Sequence, residues 1–352
     1  MIRSTIRTPF AALAWLNLTW VGCAGSIASL PVRFDPVCVP CDHPACDNPL
    51  ELQYLGSGGF LMKRGSDEIA TGPFFSNPSV LETGLCSIEA DIDAIDEFMP
   101  SRPNLSAILV GHAHYDHLMD IPEIVKSKTP NATIYASKSA RFSLASVNPP
   151  LAFETVDDRG WSQGEAQQWI DLPGTNIRFL AIKSKHAPHL MGITLMKGSF
   201  DQSQTELPKR ALQWLEGQTH SFLIEFRDAS GNPEFRLHYQ DTSTDGDVGR
   251  PPEVLDNGTG PVPYTILIPT VASWKQVDDY PEALLDRVQP DYAVLGHWED
   301  FFRPFTRDED ELRSVRGTNA EPFVKKMEDT LGESAVALPA PLTRIRFARE
   351  CP

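Results

Sequence analysis

The chain has 352 residues, 41% of them hydrophobic, which is enough for one large domain or two small ones with a buried core. It is acidic, with 31 basic and 47 acidic side chains and a formal net charge of -16. Because such a surface repels phosphate backbones, a nucleic-acid partner is not expected.

The N-terminus has the features of an export signal peptide over residues 1–28. A positively charged start precedes a mostly apolar stretch, Phe10 to Val21, that is too short for a comfortable membrane span. Two processing sites fit this segment: a cut after Ala28, or lipidation of Cys23 in a lipobox-like Val-Gly-Cys-Ala. The sequence therefore predicts a protein that is periplasmic, an outer-membrane lipoprotein or secreted. The only membrane contact expected is a lipid anchor at Cys23.

Residues 29–50 are rich in proline and cysteine and are expected to form an irregular leader before the main domain, residues 51–352. Five cysteines follow the signal: Cys38, Cys41, Cys46, Cys86 and Cys351. In an oxidising compartment disulfides are expected, with a bridge from the first three to one of the last two. The alternative is a structural zinc held by the first three and His43, although their spacing is irregular for such a site.

Apolar periodicity and turn residues divide the main domain into strands and helices. The predicted strands are Glu51 to Leu55, Phe60 to Lys63, Glu68 to Thr71, Leu105 to Val110, Thr133 to Ala136, Trp169 to Leu172, Ile177 to Ile182, Gly192 to Met196, Phe222 to Phe226, Phe235 to Tyr239, Tyr264 to Pro269, Tyr292 to Leu295, Val336 to Leu338 and Leu342 to Phe347. The predicted helices are Ile88 to Met99, Leu118 to Ser127, Lys138 to Ser146, Ala211 to Leu215, Pro281 to Val288 and Pro322 to Leu331. This order fits two packed sheets with helices outside.

One short run concentrates metal ligands at a strand end. Four ligands lie within six residues, directly after the apolar strand Leu105 to Val110: His112, His114, Asp116 and His117. A strand that runs into a tight loop fixes side chains at one point, so two imidazoles can face one ion while the carboxylate and the third imidazole face another. Zinc suits such a mixed nitrogen and oxygen set. A surface histidine cluster is the alternative interpretation.

Three further candidate ligands each follow a predicted strand: His186, Asp241 and His297. Ligands at strand ends on one edge of a sheet system can converge on one site. His189 competes with His186 for the same role, and His186 is preferred because it lies closer to the end of its strand.

On these residues the sequence resembles the metallo-beta-lactamase fold superfamily, over roughly Glu51 to Phe347. The superfamily's strand followed by His-x-His-x-Asp-His is matched in full by the run from His112 to His117. Its later ligands are matched by His186, Asp241 and His297. The resemblance implies an α/β fold, namely an αββα sandwich of two mixed sheets flanked by helices.

The resemblance also implies two metal ions, taken to be zinc, with manganese or iron as alternatives. One ion would take His112, His114 and His186; the other would take Asp116, His117 and His297, with Asp241 bridging both. Asp116 and His297 are the expected catalytic residues, and Asp116 would steer the attacking water or accept its proton.

The implied function is a hydrolase that uses a metal-bound hydroxide to cleave an ester, lactone or phosphodiester bond in a small molecule. The opening of the domain is most similar to the lactonase and phosphodiesterase-like branch, with Gly72 where that branch commonly has an aspartate. A beta-lactam hydrolase and a metal-stabilised binding protein without turnover are the alternatives. A redox di-iron protein is disfavoured, because that version usually places a carboxylate at the position of His114.

Overall fold

The computed structural model describes residues 24–189, 194–245, 248–256 and 263–351. Its strands are β1 (Val32–Arg33), β2 (Val37–Pro40), β3 (Leu50–Gly56), β4 (Gly59–Arg64), β5 (Asp67–Thr71), β6 (Ala107–Leu109), β7 (Thr133–Ala136), β8 (Phe153–Thr155), β9 (Ile170–Asp171), β10 (Ile177–Ser184), β11 (Thr219–Arg227), β12 (Pro233–Tyr239), β13 (Tyr264–Ile268), β14 (Tyr292–Val294), β15 (Val336–Pro339) and β16 (Arg344–Ala348). Its α-helices are α1 (Val80–Leu85), α2 (Ile92–Phe98), α3 (Tyr115–Leu118), α4 (Ile121–Ser127), α5 (Lys138–Ser143), α6 (Glu282–Val288) and α7 (Glu321–Leu331).

These strands form two eight-stranded mixed sheets. The first runs β1-β15-β14-β13-β12-β11-β10-β9 and the second runs β2-β16-β3-β4-β5-β6-β7-β8. Pairs in the middle of the first sheet, such as β12 with β13, are parallel, whereas β10, β11 and β12 form an antiparallel meander. With helices flanking the two sheets, this arrangement confirms the predicted αββα sandwich.

Alternating side chains explain why both faces of the strands are buried. In β6 and the residue that follows it, Ala107 and Leu109 point into the core between the sheets, while Ile108 and Val110 pack in the second core under the helices. Successive side chains of a strand point to opposite faces, so a strand covered on both sides reads as a continuous apolar run. This is why the strand before the ligand run was visible in the sequence.

Most predicted elements are present with small shifts of their ends, and three differ. The helix predicted at Ile88 to Met99 begins only at Ile92, because the Asp91 side chain accepts the N–H of Ala94 and caps it there. The helix predicted at Leu118 to Ser127 is two helices, α3 and α4. Of the strand predicted at Gly192 to Met196, residues 192 and 193 lie outside the described ranges, and 194–196 are not a strand.

The segment 29–50 differs from the irregular leader that was expected, since it adds a strand to each sheet. β1 pairs parallel with β15, and β2 pairs parallel with β16. Its cysteines form the disulfides Cys38–Cys351 and Cys41–Cys46, so the alternative of a structural zinc at these residues is wrong. Cys86 is free and exposed. No helix in the described ranges is long and apolar enough to cross a membrane.

Replacing Cys38 with serine is expected to lower the free energy of unfolding by about 2–5 kcal/mol, because the bridge closes a very long loop in the unfolded chain. Its two cysteines are separated by 313 positions in the sequence. Urea unfolding followed by fluorescence measures the change. Cys86→Ser is the matched control and should leave stability within about 0.5 kcal/mol of wild type. An equal effect of the two substitutions would contradict a stabilising role for the bridge.

Candidate metal centre

The loop that follows β6 buries four ionisable side chains together. His112, His114, Asp116 and His117 are each at most 6% exposed. His114 is the N-cap of the short helix α3, so the chain turns immediately after it. Asp116 and His117 lie in the single turn of that helix. One strand and one helical turn therefore direct all four side chains to the same place.

The first ligand group joins this loop to the end of β10. One ligand atom each from His112, His114 and His186 lies within 4.8 Å of the others. The Nδ1 atom of His186 contacts the carbonyl oxygen of Ala187, which leaves its Nε2 for a metal. Burial lowers the pKa of His114 and of His186 well below the usual value, and the neighbouring imidazoles add to the effect. Both rings are therefore neutral, the form that binds metals.

The second group joins the same loop to the residue after β14. Asp116, His117 and His297 bring ligand atoms within 4.8 Å of one another, and the Oδ2 atom of Asp116 lies 3.3 Å from Nε2 of both histidines. Burial lowers the pKa of His117, but the carboxylates of Asp116 and Asp241 outweigh it and the net shift is upward. Burial raises the pKa of Asp116, but its histidine neighbours outweigh it and hold the pKa well below the usual range.

Asp241, which follows β12, contacts members of both groups. Its Oδ1 atom accepts a hydrogen bond from Nδ1 of His112 at 3.0 Å, and its Oδ2 atom lies 3.8 Å from Nδ1 of His117. The backbone N–H of Gly111 donates to Oδ2 at 2.9 Å. The structure thus brings all seven predicted ligands into one cluster. Asp241 also orients the His112 ring, because its carboxylate contacts Nδ1 of that ring and leaves Nε2 facing the cluster.

The buried nitrogens of this cluster fit metal ions. Several of these ring nitrogens are sealed from solvent and have no hydrogen-bond partner within the described part of the chain: Nε2 of His112 and His114, both ring nitrogens of His117, and Nδ1 of His297. Leaving a buried polar atom unpaired costs about 1–3 kcal/mol, so such a concentration needs compensation. Imidazole nitrogens and carboxylate oxygens in these two adjacent groups are the donor set that divalent zinc, manganese or iron accepts.

His297 is held by a buried network that the sequence did not reveal. Its backbone N–H lies 3.0 Å from the hydroxyl of Tyr54 and 2.9 Å from the carbonyl oxygen of Ser57. The carboxylate of Glu299 accepts hydrogen bonds from the Tyr54 hydroxyl and from the Ser57 N–H. Burial and the nearby Glu299 raise the pKa of Tyr54 well above its usual value, so its hydroxyl keeps the proton that it donates.

This network stabilises two unfavourable backbone conformations. Ser57 and His297 have φ angles of 49° and 51°, in the left-handed region that residues other than glycine seldom adopt. Each such residue costs on the order of 1–3 kcal/mol and persists only where its surroundings determine it. Glu299 connects the two turns, and it lies only two residues after His297.

Three glycines allow the close approaches at this site. A Cβ at Gly111 would lie 2.4 Å from both Asp241 oxygens, and one at Gly58 would lie 2.7 Å from Nδ1 of His117. At Gly72, a Cβ would lie 2.7 Å from the backbone oxygen of His117. A side chain at position 72 would therefore meet the backbone of the ligand loop itself.

Gly111→Ala is expected to displace Asp241 and to weaken metal binding by about 10–100-fold, the usual cost of losing a residue that orients a ligand. Titration with metal against a chromogenic chelator gives the affinity. The control is Gly84→Ala, since a Cβ at this helical glycine meets nothing within 4 Å and should leave the affinity unchanged. Wild-type affinity in Gly111→Ala would show that Asp241 does not depend on this close approach.

A family model described as a beta-lactamase superfamily domain matches residues 96–225, which include the ligand run and His186. Over these residues the chain is similar to that family, and its sandwich and ligand cluster agree with the predicted metallo-beta-lactamase fold. No curated protein matches it.

Solved structures of similar fold span most of the chain. A possible metal-dependent hydrolase from Veillonella parvula is 14% identical with a TM-score of 0.50, over 84% of this chain and 98% of that one. Igni18, a metallo hydrolase from Ignicoccus hospitalis, is 14% identical with a TM-score of 0.48, over 85% and 98%. CmlA, a diiron beta-hydroxylase from Streptomyces venezuelae, is 11% identical with a TM-score of 0.45, over 85% and 54%. At these identities the likeness concerns the fold alone.

Proposed function

We propose that the protein is a zinc-dependent hydrolase that cleaves an ester, lactone or phosphodiester bond of a small molecule. The observation that carries the proposal is the convergence of unpaired, buried ring nitrogens with two carboxylates from four separate segments of the chain. Two bound ions would supply an activated water and polarise the bond under attack. His112, His114 and His186 would hold one ion, and Asp116, His117 and His297 the other.

Asp116 is the residue best placed to handle the proton of the attacking water. Its Oδ2 atom lies between His117 and His297, and its pKa lies well below the usual range, so it is ionised at neutral pH and can accept a hydrogen bond. At 6% exposure it is nearly closed off from solvent, which strengthens its electrostatic effect on nearby groups. Asp241 would orient His112 and contact the second group at the same time.

A cleft beside the ligand run supports a small-molecule substrate. Its volume is about 670 Å³, and it is lined by the start of α5 and by two loop segments, 197–201 and 216–218. One of these loops contacts the ligand run, since the N–H of Ala113 donates to the carbonyl oxygen of Glu216 at 2.9 Å. The lining mixes lysines and acids with Phe142 and Phe200, which suits an amphipathic organic molecule.

The test is metal content per chain, measured by mass spectrometry, together with hydrolysis of chromogenic ester, lactone, phosphodiester and cephalosporin substrates. Chelator-treated protein is reloaded with zinc, manganese or iron(II) before the assays. Two ions per chain and turnover of one of the first three classes, best with zinc, would support the proposal. Cephalosporin turnover alone would identify a beta-lactam hydrolase. Metal without turnover of any class would leave a metal-stabilised binding protein.

We also propose that the chain is exported and processed at Cys23, although residues 1–23 lie outside the described ranges. Two disulfides support an oxidising compartment. Gly25 pairs with Ser314, and Ile27 is buried in the main core, so a cut after Ala28 would remove packed residues. Radiolabelled palmitate incorporation that is lost in Cys23→Ser would support lipidation, whereas an unmodified mature chain beginning at residue 29 would contradict it.

A further inference from the structure

His189 is an imidazole at the metal centre that belongs to none of the ligand groups. Its ring stacks on that of His186, with centroids 4.5 Å apart and planes 14° from parallel, and it lies 5.4 Å from the ring of His114. His189 therefore adjoins the first group of ligands.

A backbone contact determines which ring nitrogen of His189 carries the proton. The N–H of Leu195 donates to Nδ1 of His189, with 3.1 Å between the nitrogens. A ring nitrogen that accepts a hydrogen bond carries no proton, so the proton of the neutral ring lies on Nε2. Because Nδ1 accepts the Leu195 N–H and Nε2 carries the proton, neither ring nitrogen has a free lone pair for a metal. The Nε2–H group remains available as a hydrogen-bond donor.

We propose that His189 is a catalytic residue whose Nε2–H donates a hydrogen bond to the substrate oxygen that becomes negative as water attacks. The inference rests on the proposed hydrolase function and deepens it. The carbonyl oxygen of an ester or lactone and the phosphoryl oxygen of a phosphodiester both gain charge at this step, so one donor serves either class. The proton stays on Nε2 throughout, and His189 acts as a fixed dipole rather than as an acid.

Three substitutions in the zinc-loaded full chain separate this role from the alternatives. His189→Gln places an amide N–H near the position of Nε2, His189→Asn keeps a polar group only near Nδ1, and His189→Ala keeps neither. All three should bind as much zinc as wild type. We expect kcat to fall about 100-fold in His189→Ala and His189→Asn, with KM nearly unchanged, and His189→Gln to recover at least about tenfold. Loss of zinc, or equal kcat in all three variants, would overturn the proposal.

Two measurements do not depend on turnover. Long-range proton–nitrogen NMR of the zinc-loaded wild type, assigned with His189→Ala, should show the Nε2-protonated tautomer at neutral pH. Inorganic phosphate, used as an anionic probe, should bind about tenfold more weakly to His189→Ala and near normally to His189→Gln. A wild type that binds zinc and hydrolyses nothing would refute the hydrolase proposal alone, whereas an Nδ1-protonated ring or unchanged phosphate binding would refute the donor itself.

Discussion

His114→Ala is expected to abolish hydrolysis, with a loss of more than about 100-fold in kcat/KM, and to remove metal from the first ligand group. His114 is buried and neutral, and its Nε2 atom has no hydrogen-bond partner within the described residues, so this atom is available to a metal. Metal content should fall from two ions per chain towards one, because the second group keeps all three of its members. Mass spectrometry of the desalted protein measures the content alongside the substrate panel.

His43→Ala is the matched control for this experiment. His43 caps a short 3₁₀ helix next to the N-terminal disulfides, and its ring accepts the N–H of Ala45. Metal content and kcat/KM should stay at the wild-type values. If His114→Ala retained two ions and full activity, the assignment of the first group would be wrong.

Removing the carboxylate of Glu299 is expected to cost about 2–4 kcal/mol of stability and to weaken the second metal specifically. Glu299→Ala leaves the buried Ser57 N–H without its acceptor and removes the carboxylate that the Tyr54 hydroxyl contacts, and each loss costs about 1–3 kcal/mol. Because these two residues hold the backbone of His297, we expect the affinity for one ion to fall about 10–100-fold while the other ion stays bound. Stepwise metal titration and urea unfolding measure the two effects on the same samples.

Glu299→Gln should be milder, since its amide oxygen can still accept the Ser57 N–H while its NH₂ group faces the Tyr54 oxygen. Glu225→Gln is the matched control, because Glu225 is also a buried carboxylate but pairs with Arg178 and Arg236 on the sheet away from the ligands. It should lose stability without losing metal. Equal loss of both ions in Glu299→Ala would indicate general unfolding rather than a displaced His297.

The sequence predicted the sandwich and the candidate ligands because their signals are local. An apolar strand followed at once by the ligand run appears within a dozen residues, and His186, Asp241 and His297 each follow a strand that can be recognised alone. The choice between His186 and His189 needed coordinates. Only the structure shows that the backbone N–H of Leu195 donates a hydrogen bond to Nδ1 of His189.

The elements that could not be predicted depend on distant partners. Tyr54 and Glu299 are 245 positions apart, so no spacing rule connects them. β1 and β2 have only two and four residues, and they are strands because β15 and β16 pair with them from the other end of the chain. Short segments of this kind have little propensity of their own and are defined by tertiary contacts.

The place of β16 in the second sheet has a consequence for how the protein is made. β16 lies between β2 and β3, so β2 cannot join this sheet until residues 344–348 have been synthesised. The Cys38–Cys351 bridge can likewise close only after that strand is inserted. A nascent chain of this topology can complete neither this sheet nor this disulfide until residues 344–351 have been synthesised.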